Sequence, residues 1–258
     1  MSGKIKIDLT EKFEVLPKAP IVEAVMEFRT QAEAQFQESQ LRSHVENRVA
    51  GYEYLDSRHT VRHEFDLATK EPQRTVRDLG IQGVRFKSGD ERHIVQFNYD
   101  SFVFSRLPPY ESWNQFNSEA MRVWNAYVEV LRPVEVQRVG LRFINQIRLP
   151  PQELRFEDYL QWAPQPPKGL ELPHHAFLHH ETLAVPGHPY AVTIIRTIQP
   201  PHPPVEGAGL ILDIDVFTTQ GIGLDQAMLQ QRLAEMRWLK NKVFFGSVTR
   251  KAIKLFKE

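Results

Sequence analysis

Asp213 and Asp215, in the stretch LILDIDVF, are two carboxylates one residue apart in an otherwise apolar run. If that run is a strand, Leu210, Leu212, Ile214 and Val216 form one face and both aspartates project from the other. Two carboxylates so placed can hold a divalent cation for phosphoryl chemistry, or they can pair with arginines on a neighbouring strand. Arg138 and Arg142 of RVGLRFINQI are the candidates for that pairing, because the same alternation sets them opposite Val139, Leu141 and Phe143. Glu23 and Glu27 of EAVMEFR occupy the corresponding positions of an early strand. One polar sheet face is therefore expected to carry Glu23, Glu27, Arg138, Arg142, Asp213 and Asp215, with Arg62, Glu64, Gln96 and Asn98 as further members. Such a face has three readings: a surface laced with cross-strand ion pairs, a recognition surface for a partner, or an active site built on the acidic pair.

A second group is the histidine-rich stretch ELPHHAFLHHETLAV. Read as a strand, it puts His175, His179 and Glu181 on one face, a set that could imitate a two-histidine, one-carboxylate metal site. Alternate residues of a strand stand about 6–7 Å apart, so one flat strand cannot wrap an ion, and no partner motif supplies a ligand from elsewhere. A polar, histidine-rich strand is the expected outcome, with no metal. The spacing of His59 and His63 imitates HxxxH, but Thr60 and Val61 between them favour a strand.

The last helical stretch concentrates Arg237, Lys240, Lys242, Arg250, Lys251, Lys254 and Lys257. Cations near a helix C-terminus complement its dipole; a phosphate-facing role is the alternative. Trp238, Phe244 and Phe245 are expected to pack the core or an interface. The stretches GAGLIL and GIGLD match no dinucleotide or phosphate-loop fingerprint, and no GxSxG elbow is present. Thirty-two basic residues balance thirty-two acidic ones, which argues against a coat for nucleic acid or membrane. The absence of cysteine excludes disulfides, thiolate catalysis and cysteine-ligated metals. No apolar run has the length of a signal peptide or a membrane span, so the expectation is a cytoplasmic protein with no bound cofactor.

These residues need elements to hold them. APIVEAVMEFRT alternates Val22, Ala24, Met26 and Phe28 against polar residues as a one-sided strand. A helix is expected over 37–51, with Leu41, Val45 and Val49 four apart and Gly51 ending it. RHTVRHEFDL, IQGVRFKS and RHIVQFNYDSFVFSRL form an antiparallel meander with turn chemistry at Gly89-Asp90 and Tyr99-Asp100-Ser101. YESWNQFNSEAMRVWNAYVEVL is a long helix stopped by Pro133. The plan then repeats: strand VEVQRVGLRFINQIRL, short helix RFEDYLQW, strands HAFLHHETLAV, YAVTIIRTIQ and GLILDIDVFTT, and a long helix interrupted near Gly246. The fold class expected is α+β, with an extension over 1–14 and two tandem strand–helix–meander–helix units over 15–132 and 133–258, in a mostly antiparallel sheet covered by helices. The Pro-rich pieces APQPPKG and QPPHPPVEGAG are expected to be surface loops.

LPKAPIVEAVMEFR, YESWNQF, RVGLRFINQIRLP, LILDIDVF and MRWLKNKVFFGSVTRKAIKLF together resemble a sporadically distributed family of bacterial and archaeal proteins of about this length. The chain departs from it at Arg237, where relatives often carry a histidine. The resemblance brings no reaction, cofactor or catalytic residue. It implies an accessory gene of the kind found in mobile elements, toxin–antitoxin pairs or phage defence. By analogy of topology the duplicated plan is similar to the saddle of the TATA-box-binding protein. The leading expectation is a non-enzymatic module that binds a protein partner or forms a homodimer. The alternatives are a metal-dependent phosphoester or nucleotide enzyme built on Asp213, Asp215, Glu23 and Arg142, and a nucleic-acid binder using the basic C-terminal helix.

Overall fold

The computed structural model describes residues 3–66, 73–149, 155–170, 172, 174–199 and 208–257. It is α+β, with nine mainly antiparallel strands and four α-helices among those residues. The chain divides into a larger compact unit (Met1–Met26, Leu107–Tyr110, Arg138–Glu258) and a smaller one (Glu27–Arg106, Glu111–Gln137).

In the smaller unit, β2 (Tyr52–Asp66), β3 (Gln73–Ser88), β4 (His93–Asn98) and β5 (Ser101–Arg106) form an antiparallel meander. The second half of β1 (Ile21–Ala32) lies beside β5, tied by Thr30 N–H donating to Asp100 O at 2.9 Å and Ala32 N–H to Tyr99 O at 2.9 Å. Ala24, Met26 and Phe28 of β1 are fully buried while Glu23, Val25 and Glu27 keep partial exposure, so the alternation read from the sequence holds. α2 (Trp113–Leu131) begins at Ser112, whose hydroxyl accepts from Gln115 N–H at 3.2 Å. It ends at Arg132, held in the left-handed region with φ 50° just before Pro133. Its buried stripe includes Phe116, which packs on Phe104, and Trp124 and Tyr127, which pack on Phe97 and Phe102. α1 (Glu38–Glu46) buries Leu41 and Val45 but stops short of the expected 37–51. Asn47, Arg48 and Val49 continue in tight turns, in which Val45 O accepts from both Arg48 N–H and Val49 N–H.

In the larger unit the strand order is β6 (Pro133–Arg148), β9 (Gly209–Thr218), β8 (Ala191–Gln199) and β7 (Leu178–Ala184), all antiparallel. Gln146 N–H donates to Pro20 O at 2.8 Å, which sets the start of β1 beside β6. Leu141, Phe143, Leu210, Leu212, Ile214 and Val216 form the buried face, and α3 (Gln226–Ser247) packs on β9 with Leu229, Leu233 and Met236 buried. Asp225 caps α3, accepting from Ala227 N–H and Met228 N–H at 2.8 and 3.1 Å. The expected interruption near Gly246 falls at Val248-Thr249, after which α4 (Arg250–Leu255) starts with Thr249 as its cap.

The helix expected at RFEDYLQW is instead one 3-10 turn, Phe156–Asp158. Leu160 pairs with Val248 as an isolated bridge, and Gln161 N–H donates to Ser247 O at 2.9 Å. Thr249 N–H donates to Tyr159 O at 3.0 Å, so the Gln161 donor and the Tyr159 acceptor that a continuing helix would need are already engaged. Of QPPHPPVEGAG, residues 200–207 lie outside the described residues. Residues 5–18 form no regular element; Ile5 bonds to Pro186 O and His188 in the turn after β7, and residues from Glu11 onward contact α3 and the end of the chain. Phe13 stacks on Phe245 with centroids 5.7 Å apart, Glu11 accepts from Trp238 Nε1 at 2.8 Å and Lys242 Nζ at 2.6 Å, and Glu14 pairs with Lys257.

Candidate functional site

The polar face of the larger unit brings together five of the six residues singled out from the sequence. β6 sends Arg138 and Arg142, and β9 sends Asp213 and Asp215, to the face opposite the core. Arg142 donates to Asp213 from Nε at 2.9 and 3.1 Å and from Nη2 at 2.5 Å, and Arg138 Nη2 donates to Asp215 at 3.0 Å. Asp213 is only 6% exposed, so its charge is matched by a guanidinium over it rather than by water. The hydrogen bond to Asp213 holds Arg142 above the usual arginine range, aided by the charges of Asp213, Asp215 and Glu23. Ile144, Ile195, Ile211 and Phe217 lie between these charges with partial exposure, and Arg138 rests over the Phe217 ring at 4.9 Å. Glu27 lies in the smaller unit, where Arg29 Nε donates to it at 3.4 Å.

The arrangement is poorly suited to a divalent ion. Both aspartates accept from arginines, and among the described residues no group of three histidine, aspartate or glutamate side chains could hold a metal. A metal would have to displace two guanidinium groups whose charge already balances the carboxylates.

The histidine stretch resolves differently from a continuous strand. His175 precedes β7 and is exposed, so it does not join His179 and Glu181. Those two do share a face, and Arg196 stands directly across the ladder from His179. Arg196 Nη1 lies 2.7 Å from Glu181 and 3.0 Å from His179 Nδ1, and Trp162 stacks on His179 with centroids 4.2 Å apart. The two residues of that set that share a face are thus partners of a buried arginine, 7% exposed. Sequence reasoning passed over Arg196; its one signal was a charge at an inward position of the apolar strand YAVTIIRTIQ.

His59 lies in β2, 3.1 Å from Asp78 and 3.3 Å from Glu38. The side chains of Arg62, His63 and Glu64 lie outside the described residues. Gln96 and Asn98 both accept from Arg58.

The smaller unit holds a cleft of about 620 Å3 that no sequence signal marked. It is lined by Asp90, His93, Arg106, Glu111, Glu119 and the first turns of α2. Arg106 is 6% exposed, with Nη2 donating to Glu111 at 3.2 Å and Nη1 lying 3.1 Å from His93 Nε2. Burial, and then the charge of Arg106, push His93 below the usual histidine range. Glu119 is held below the ordinary glutamate range, chiefly by hydrogen bonds from Arg122 and from Tyr52, which donates at 2.9 Å. Every one of these charged groups already has a partner within the unit.

Part of the basic C-terminal stretch is also engaged internally. Lys242 pairs with Glu11, Lys251 with Asp158 and Lys257 with Glu14, while Lys240 points onto Phe143. Trp238 and Phe244 are buried. No protein-family model matches the chain, and no curated protein matches it. Among the described residues no helix is long and apolar enough to cross a membrane.

Proposed function

We propose that the protein is a non-enzymatic binding module that holds a protein partner, or a second copy of itself, on the polar face formed by Glu23, Arg138, Arg142, Asp213 and Asp215. The observation that carries this reading is the matched pairing of both aspartates with arginines, Arg142 to Asp213 and Arg138 to Asp215. A pre-neutralised charged face with isoleucines between the pairs suits recognition, where charge order selects the partner and apolar side chains supply affinity. The same pairing weighs against a metal-dependent phosphoester or nucleotide enzyme. Engagement of Lys242, Lys251 and Lys257 by carboxylates weighs against a nucleic-acid binder on the C-terminal helix.

In this reading the module serves a prokaryotic accessory system of the defence or toxin–antitoxin kind, as the family resemblance implies. The tandem plan belongs to the same proposal. In each half a first strand lies beside the last strand of a meander, β1 beside β5 and β6 beside β9, and a long helix follows. That shared connection supports a duplication with saddle-like topology.

Native mass spectrometry of the protein purified gently from its source cells tests the proposal. A stoichiometric protein partner or a homodimer, lost in Arg142→Glu while the circular dichroism is unchanged, is the expected result. An undiminished complex in that variant removes the face from the interface. Turnover that needs Mg2+ and disappears in Asp213→Ala overturns the non-enzymatic reading itself.

A further inference from the structure

β7 is the outermost strand of the larger unit, and among the described residues no strand pairs with its outer side. An exposed strand edge carries unpaired N–H and C=O groups that template pairing with another chain, and proteins guard such edges with lysine, proline, charge or bulges. β2, the outermost strand of the smaller unit, is guarded in this way. Its ladder with β3 shifts register in three places, and Glu53, Asp56 and Arg58 lie along it. β7 has none of these devices. Its seven pairs with β8 run without a shift, AFLHHETLA (176–184) contains no proline, lysine or arginine, and the charge of Glu181 is turned to Arg196. Leu178 in the same stretch is 73% exposed.

The ladder fixes which residues present the edge. Val185 N–H donates to Tyr190 O at 2.9 Å, so the odd-numbered residues of β7 aim their backbone groups at β8, while Leu178, His180, Thr182 and Ala184 aim theirs outward. A strand added antiparallel to this edge forms its hydrogen-bonded pairs at those even positions. The stretch is also close to its own antiparallel complement about His180. Folded on a second copy there, Ala176 stands against Ala184, Phe177 against Leu183, Leu178 against Thr182 and His179 against Glu181. Even positions meet even ones, as the outward bonds require, and Phe177 meets an apolar side chain and His179 a carboxylate. Centring the pair on Glu181 keeps the parity but sets two carboxylates directly opposite, which is destabilising.

We propose that β7 is a dimerisation edge, at which two copies of the chain pair antiparallel through residues 176–184 about a two-fold axis at His180. The contact is isologous, so it closes at two copies and leaves no free β7 edge. It lies two strands away from Asp213 and Asp215 of β9 and does not rest on the reading of that polar face.

The chain has no cysteine, so a single introduced one reports the register. In this pairing the two His180 residues form a hydrogen-bonded pair with Cα atoms about 5.5 Å apart, within the span of a disulfide. Thr182 stands against Leu178, which separates the two Thr182 residues by about 13 Å along the strands. Mild oxidation of the folded chain is therefore expected to give covalent dimer from His180→Cys on the order of tenfold above that from Thr182→Cys. Equal yields, or more from Thr182→Cys, overturn the axis at His180. Sedimentation equilibrium on the unaltered chain is the second measurement. A dimer is expected whose dissociation constant rises about tenfold in His180→Pro with circular dichroism unchanged, because that substitution removes an outward N–H from each copy and none from the β7–β8 ladder. A monomer at about 100 μM, or a dimer indifferent to His180→Pro, overturns the edge pairing. Arg142→Glu is expected to leave this dimer intact; a dimer lost in Arg142→Glu and kept in His180→Pro places the contact on the polar face instead.

Discussion

Arg142 grips both carboxylate oxygens of Asp213, although the residue directly opposite Arg142 in the β6–β9 ladder is Asp215. The diagonal bond leaves Asp215 to Arg138, so two arginines four apart serve two aspartates two apart. The pairs are unequal. The Asp213 side chain is 7% exposed and that of Asp215 25%.

That inequality predicts different costs for removing each carboxylate. Asp213→Ala leaves a guanidinium over a buried gap and is expected to destabilise by about 1–3 kcal/mol, below the full cost of a broken buried pair because Arg142 reaches solvent. Asp215→Ala is expected to cost about 0.5–1 kcal/mol. Urea denaturation of the two variants checks the order; equal losses would show that burial does not separate the pairs.

Tyr127 closes a buried polar link in the smaller unit. Its hydroxyl lies 2.8 Å from Asn98 O, to which it donates, and 2.7 Å from Thr30 Oγ1. Tyr127→Phe leaves both groups short of a partner with no route to water, at an expected cost of about 1–3 kcal/mol. Thr30→Val in the same background should then cost little more, and a double-mutant cycle in urea measures the coupling.

His93 makes the smaller unit sensitive to acid. Its folded pKa lies below the ordinary histidine value of 6.5, so the unfolded chain binds the proton first as pH falls. Stability is therefore complete above that ordinary value and is lost progressively as pH falls below it, down to the folded pKa. His93→Gln keeps an acceptor for Arg106 and lacks the titration. Between pH 7.5 and 5.5 the wild type is expected to lose more in melting temperature than this variant does.

Lys240 acts in the alkaline direction. With its folded pKa at about 7, the unfolded chain holds an extra proton between that value and the ordinary lysine range, so stability rises with pH across this window. Lys240→Met is expected to stabilise at pH 7 by about 1–3 kcal/mol and to flatten the rise. Denaturation midpoints at pH 7 and 9.5 for both proteins decide it; parallel slopes would mean the amine is ionised in the fold.

Period-two alternation in three short stretches was enough to place the sheet face. It set Ala24, Met26 and Phe28 inward, and Arg138, Arg142, Asp213 and Asp215 outward, because one apolar side of each strand leaves no other register. Which arginine meets which aspartate was not legible, since the diagonal depends on how β6 and β9 align over ten paired residues. Arg196 and the Arg106–His93 cleft were missed for a similar reason. Each is assembled by pairing between strands, and a single charge within an apolar run does not reveal what stands across the ladder. At RFEDYLQW composition suggested a helix, but backbone bonds that Tyr159 and Gln161 make with the end of α3 and the junction after it decided otherwise.

The segment carrying Glu11 and Phe13 docks on a helix whose contacting residues come 227 and 231 positions later in the chain. On a ribosome this segment leaves the tunnel early and waits, undocked, until α3 and α4 have been made. Its ordering therefore belongs to the last events of folding, with the loop-closure entropy of most of the chain to overcome. Until then Trp238 and Phe245 lack their cover, and the helix that carries them is most exposed to mispairing and proteolysis in that interval.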